Sequence, residues 1–254
     1  MTTAQTALYA YAFVDAGTGV PDGLVGLGPR RAPVRLLDRD GLGVLVSDVD
    51  AARLSTILDD EDVTEQSELA VRAREHDRVV RSVFERGPVL PFRFGTVLRD
   101  ANAADRLLTA QHDTATALLR HVDGRHEWAV RLHAQPPNGD ESDESAVDRS
   151  SGKSYLAGRG RRLRDLDERQ ARQRDAADAV RDDLASWAAD TVDRRSGRAL
   201  LDLAVLVDRT AEDDFLEHVG QLAVKVADAG LLLDTAGPWP AYSFTGTAAE
   251  VSHD

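Results

Sequence analysis

The side chains that could do chemistry fall into four groups, and each lacks something its chemistry needs. Ser151-Gly152-Lys153-Ser154 has the ending of a phosphate-binding loop. Such a loop also needs a glycine five residues earlier and a strand leading into it, so that backbone amides wrap the phosphates at the start of the next helix. Val147 holds the glycine position, and an acidic stretch takes the place of the strand. Glu75-His76-Asp77 sets a base between two carboxylates. On a helix, however, consecutive side chains diverge by about 100°. The three do not converge, and His76 falls on an apolar stripe, as a hydrogen-bonded core or boundary histidine does. His112, His121, His126 and His133 share a region without the tight helical spacing of a zinc-ligand pair. Arg159, Arg161, Arg162, Arg164, Arg169, Arg172 and Arg174 form one basic cluster, interleaved with Asp165, Asp167, Glu168 and Asp175. Pairing across one turn of a solvated helix is its default reading. An RNA-binding arm is the sharper alternative, without the aromatic platforms that accompany single-strand binding.

No serine sits in a Gly-x-Ser-x-Gly elbow. Nor is there any cysteine, which removes disulfides, thiolate metal sites and cysteine nucleophiles together. The reading is a chain without catalytic residues, metal or cofactor. A formal net charge of -13 over 254 residues argues against nucleic acid and anionic membranes as partners, since both are polyanions. The apolar run Ala7 to Val14 is too short to span a bilayer, and no later stretch approaches about 18 apolar residues. The expectation is a soluble, cytoplasmic protein.

The elements that would position these residues can be read from periodicity. Ala7 to Val14 is a buried central strand, with Leu8, Ala10, Ala12 and Val14 on one face and Tyr9, Tyr11 and Phe13 on the other. A glycine- and proline-rich loop runs from Gly17 to Pro33. Val34 to Leu37 and Leu42 to Val46 flank Asp38-Arg39-Asp40-Gly41, whose Asp-Gly pair suits a tight hairpin. Asp48 to Glu65 reads as irregular or weakly helical. Ser67 to Arg86 is a helix ended by Gly87-Pro88. Val89 to Leu98 follows as a strand with Leu90, Phe92 and Phe94 on one face, then a helix from about Ala101 to His121. Glu127 to His133 alternates as a strand with one wet face.

Residues 135–151 form a solvated acidic loop. A long helix runs from about 153 to 193, with Leu156, Leu163, Leu166, Val180, Leu184 and Trp187 as its apolar side. At about 1.5 Å per residue it would reach roughly 60 Å unbroken, so a break or a protruding arm is expected near its polar middle. Leu200 to Val207 is a strand, Thr210 to Ala229 a helix closed by Gly230, and Leu231 to Leu233 and Trp239 to Phe244 short strands. Gly87-Pro88 leads to Phe92 and Phe94 at the spacing at which Gly237-Pro238 leads to Tyr242 and Phe244. The echo reads either as two α+β halves of related build or as coincidence between two turn signals. The favoured division is 1–124 and 125–254.

Four segments, in this order and spanning almost the whole chain, resemble the GvpF/GvpL family of gas vesicle proteins. They are Leu8-Tyr9-Ala10-Tyr11-Ala12-Phe13, Val89-Leu90-Pro91-Phe92-Arg93-Phe94-Gly95-Thr96, Gly152-Lys153-Ser154-Tyr155-Leu156, and Gly237-Pro238-Trp239-Pro240-Ala241-Tyr242-Ser243-Phe244. The resemblance implies an N-terminal modified ferredoxin-like domain and a C-terminal α+β domain with the long helix. It also implies a non-enzymatic minor component of the gas vesicle that associates with the main shell protein and with other accessory proteins during nucleation. Beside it stands a physical expectation. A shell protein with a gas-facing apolar surface aggregates unless covered, and a soluble acidic partner could cover it. Phe92, Phe94, Tyr242 and Phe244 could supply an aromatic patch, with plain core packing the competing reading for each. Arg93, Tyr155 and Arg162 complete the candidate contact residues. A small-molecule or nucleotide-binding regulator built on ferredoxin-like domains is the alternative function.

Overall fold

A computed structural model describes residues 6–28, 31–59, 64–135, 152–194 and 199–246, with side chains throughout except at 152–158 and 161–162. They divide into two units, one drawn from 1–127 and 238–254, the other from 128–237. A single cut at 124/125 assigns everything after it to the second half, whereas residues 238–246 group with the first.

The first unit is built on strand β1 (Thr6–Asp15), every residue of which between Ala7 and Val14 is buried. Strands β2 (Arg35–Arg39) and β3 (Leu42–Asp50) form an antiparallel hairpin. Its two turn residues, Asp40 and Gly41, both have positive φ, +49° and +90°, the geometry for which Asp-Gly is selected. β3 carries on past the expected Val46 to Asp50, and the Asp50 carboxylate then accepts from the Arg53 amide and caps helix α1 (Ala51–Leu58). Of the segment read as irregular or weakly helical, 48–50 is therefore strand and 51–58 helix. Helix α2 (Glu68–Phe84) is capped by Ser67, which accepts from Ala70 N, and leads to β4 (Val89–Pro91) and β5 (Val97–Leu98). Helix α3 (Ala101–Val122) begins with Asp100 as its cap. The sheet order is β2-β3-β1-β4, with β5 also pairing β1.

Two expectations fail here for one reason. The β1–β3 register passes from Ala10↔Val46 to Ala12↔Leu45, leaving Tyr11 as an extra residue. A bulge of this kind interrupts the two-residue alternation. Tyr9, Tyr11, Ala12 and Val14 therefore all join the core formed with Val79, Val80 and Val83 of α2. Phe13 instead meets Phe92, ring centroids 4.7 Å apart. Opposite the bulge, the expected single strand 89–98 leaves the sheet and returns. Phe92 N donates to Tyr11 O and Ala10 N donates to Thr96 O, and between them residues 92–96 form a turn through Gly95 at φ +93°. Phe92 and Phe94 consequently do not share a face.

The second unit is built from most of β6 (Arg125–Ala134), α4 (Gly152–Ala185), β7 (Asp190–Asp193), β8 (Leu201–Asp208), α5 (Glu212–Ala227) and most of β9 (Leu231–Trp239), residues 125–127 and 238–239 grouping with the first. Its sheet order is β7-β8-β6-β9. One core joins Trp128, Val130 and Leu132 of β6 to Ala177, Val180 and Leu184 of α4 and to Phe215, Val219, Leu222 and Val226 of α5. Order and connectivity are those of a β-α-β-β-α-β ferredoxin-like unit. The first unit has the same strand order, with residues 16–34 in place of the first helix.

α4 ends at Ala185, short of the expected 193, because Asp190–Asp193 pairs with Leu203–Leu206 of β8. β9 is one continuous strand that runs through Gly237-Pro238, and Tyr242–Phe244 is a 3-10 turn rather than strand. The Gly-Pro echo thus joins a helix-to-strand turn to the end of a strand, so the two pairs are not equivalent positions even though the two units share a strand order. The inner half of β6 is dry on both faces, since Glu127 and Ala129 are buried along with Trp128 and Val130. Leu163 and Leu166, read as part of the apolar side of α4, are each 53% exposed. The acidic loop 135–151 lies, apart from Gln135, outside the described residues.

Candidate functional site

The expected contact residues of the first unit converge around the 92–96 turn and the C-terminal 3-10 turn. A shallow cavity of about 230 Å³ is lined by Pro91, Phe92, Arg93, Tyr242, Ser243, Thr245 and Gly246. Arg93 is exposed on its wall; Phe92 and Phe244 are buried in the core beneath, and Phe94 and Tyr242 are half-buried. The four aromatics therefore do not make an open patch. The side chains of Tyr155 and Arg162, the other two expected contacts, lie outside the described residues.

The turn is held from below by a buried polar network. Gly95 N donates to the Tyr9 hydroxyl at 3.0 Å, and that hydroxyl lies 2.9 Å from His76 Nδ1. With the hydroxyl accepting from Gly95, the tautomer that carries its proton on Nε2 lets the hydroxyl give its own proton to Nδ1. Nε2 is buried with no well-formed hydrogen bond, although the Phe92 backbone lies close enough to the ring to favour its charged form. Burial pushes the His76 pKa down to about 4, against the opposing pull of the Asp77 carboxylate, and it pushes Tyr9 upward. A neutral, enclosed histidine beside a hydroxyl harder to ionise than usual makes a packing element, not an acid–base pair. Tyr11 stacks on the same imidazole, accepts from Leu27 N at 2.9 Å and shares a hydrogen bond with Ser47 Oγ at 2.8 Å. This fixes residues 24–28 over the bulge, and an added Cβ at Gly26 would lie 2.3 Å from Ser47 Oγ and 2.5 Å from Tyr11 Oη.

Either side of His76 the carboxylates diverge, as helical geometry requires. Glu75 accepts from Gly28 N and Arg72, and Asp77 accepts from Arg81 at 2.6 Å and from the Tyr242 hydroxyl at 3.0 Å. Burial and the Asp77 carboxylate both hold Tyr242 in its neutral form. Arg81 also lies 4.1 Å over the Trp239 ring. Glu127, 2% exposed, accepts from Ser243 N at 2.7 Å and from Ser243 Oγ at 2.8 Å. These clasps bind residues 239–243 to α2 and to the start of β6. Sequence reading passed over Arg81, and named Asp77, Glu127 and Ser243 without finding the contacts they make. The position of Glu127, out of phase with Trp128 and Val130 on a strand, marks it as solvent-facing, and only the returning chain buries it.

The remaining candidates stay apart. His112 contacts Asp40 O and Asp113, His126 packs on Phe84, and His133 lies 3.8 Å from Asp234. Among the described residues no group of three His, Cys, Asp or Glu is placed to hold a metal. None of the described helices is long and apolar enough to cross a membrane. In the second unit His218 meets Asp183 and stacks on Trp187, with centroids 4.9 Å apart.

Comparison with known proteins places this architecture. A family model described as gas vesicle synthesis protein GvpL/GvpF matches residues 7–246. The chain is 34% identical to gas vesicle protein L of Streptomyces sp. strain CB03234, over 97% of this chain and 95% of that one. It is 25% identical to gas vesicle protein L1 of Halobacterium salinarum, over 95% and 91%. Its fold matches the crystal structure of GvpF from Anabaena sp. PCC7120 with a TM-score of 0.65 at 18% identity, covering 98% of both chains. GvpF from Microcystis aeruginosa matches with a TM-score of 0.63 at 20% identity, over 94% and 98%. A mixed helix-and-sheet chain matched from its first strand to its last turn, it belongs to the GvpL/GvpF family of gas vesicle proteins.

Proposed function

We propose that this protein is a cytoplasmic, non-enzymatic accessory that binds the main gas vesicle shell protein, keeps it from aggregating, and supports nucleation together with other accessory proteins. The observation that carries the reading is the collinear family match over residues 7–246. The cavity beside Arg93 agrees with it. At about 230 Å³ and open, it falls below the usual range for small-molecule sites, roughly 300–1,000 Å³, and suits one inserted side chain of a protein partner. The contact region of the first unit is the rim formed by Arg93 and Tyr242 rather than an exposed aromatic sheet.

The test is light scattering of purified shell protein with and without an equimolar amount of this chain. Suppressed scattering that returns with Arg93→Glu supports both the function and the rim. Unchanged scattering with the wild-type protein removes the chaperone reading, and suppression indifferent to Arg93 moves the contact elsewhere. A small-molecule regulator is the second reading, favoured by a cavity of about 370 Å³ lined in part by Leu27, Leu54, Ile57, Arg53 and Arg72. A ligand there would raise the melting temperature by mass action, and a nucleotide and metabolite panel without such a rise would dismiss it.

A further inference from the structure

α4 has one apolar stripe but two environments. Gln173, Ala177, Val180 and Leu184, spaced by four, three and four residues, are buried in the second unit. The same spacing runs backward through Gln170 to Leu166 and Leu163, and both leucines are 53% exposed. From 159 to 172 no described residue of the helix is buried. Over this half, the stripe that docks the helix elsewhere has no cover among the described residues.

The borders of the exposed stripe are predominantly basic. At about 100° per residue, Arg159 falls on the stripe, Arg169 along one border, and Arg174 and Asp167 along the other. Between Lys153 and Asp175 there are eight positive and four negative side chains, in a chain whose net charge is -13. Arg172 and Glu168, 3.9 Å apart, form only a loose pair on the outer face.

We propose that this half of α4 is a docking seam for an acidic amphipathic helix of a partner protein, packed on Leu163 and Leu166 with its flanking carboxylates against the border arginines. An apolar seam edged by charge is how one helix selects another. A second copy of this chain would set arginine against arginine along the same borders. RNA would answer the arginines and leave the leucines without a role. The proposal rests on the accessory function above and names the chemistry of a partner for it. The scattering assay and the one described next fail independently, because the rim at Arg93 is not part of the seam.

The probe is a fluorescein-labelled synthetic peptide of three heptads, with leucine at the core positions and glutamate at the flanking ones. A twin carries lysine at the flanks. Anisotropy with the full-length protein should show the acidic peptide binding at least about tenfold more tightly than the twin, and more weakly as salt rises from roughly 50 to 300 mM. Leu163→Ser with Leu166→Ser should lose that binding while the melting temperature stays unchanged, since both side chains are half in water. Arg159→Glu with Arg174→Glu should invert the preference toward the lysine twin, which separates docking from a folding defect. Equal binding of the two peptides, binding indifferent to the leucines, no binding at all, or oligouridine bound more tightly than the acidic peptide would each overturn the seam.

Discussion

His76 gives the sharpest test of how the first unit is built. Its ring is enclosed between Tyr9, Tyr11 and Phe94, and burial lowers its pKa from 6.5 to about 4. The folded protein therefore keeps the ring neutral in a range where the unfolded chain protonates it. Below pH 6.5 the unfolded state binds the extra proton, so acid favours unfolding. The stabilisation is complete above 6.5 and disappears as pH falls toward about 4. At 1.36 kcal/mol per pH unit the gap is worth about 3 kcal/mol. His76→Phe keeps a ring in place and removes the titration, while the Tyr9 hydroxyl loses its acceptor at a cost of about 1–2 kcal/mol. Urea unfolding of both proteins from pH 7.5 to 4 measures the difference, in which carboxylates common to both cancel. The wild-type advantage should be flat above pH 7 and then fall by about 1.4 kcal/mol per pH unit below 6.5. A difference that does not vary with pH, or an NMR titration placing His76 near 6.5, would falsify the enclosed network.

Other expectations follow from the same packing. Gly26→Ala pushes a methyl into Ser47 and Tyr11 and should destabilise by about 1–3 kcal/mol in urea; native stability would mean that the 24–28 segment shifts freely. Glu127→Ala strips the acceptor from both the Ser243 amide and its hydroxyl, for a loss of about 2 kcal/mol. A double-mutant cycle with Ser243→Ala should show coupling above about 0.5 kcal/mol, and strict additivity would deny the clasp. Leu184→Ala, fully buried, should cost about 2–5 kcal/mol, whereas Leu163→Ala should stay within about 1 kcal/mol. Similar losses from both would mean that α4 is covered along its whole length.

Most helices were legible because their stripes and stops are local. Ser67 and Gly87-Pro88 bracket α2, and Asp40-Gly41 sets the β2–β3 turn, in each case within a few residues. What escaped was set by distant chain. Nothing near Tyr11 announces a bulge, because the extra residue exists only relative to the register of Leu45 and Val46. The turn at 92–96 is likewise the response of the neighbouring strand to that bulge. Leu163 and Val180 look alike in periodicity, and only the presence of β8 and α5 beside one of them makes it core. The site was half visible. Arg93 and Tyr242 could be picked out as motif residues, but Asp77, Arg81 and Glu127 gain their roles from a segment more than a hundred residues away in the chain.

The return of residues 239–243 onto α2 has a consequence for synthesis. A ribosome makes the chain from its N-terminus, so Asp77, Arg81 and Glu127 emerge long before Trp239, Tyr242 and Ser243 can reach them. The intervening stretch 128–237 carries a core of its own and can mature while the first unit still waits for its last segment. The rim around Arg93 is then completed only once residues 239–243 have been made. A product cut short before Trp239 would carry both sheets yet lack one wall of the contact surface.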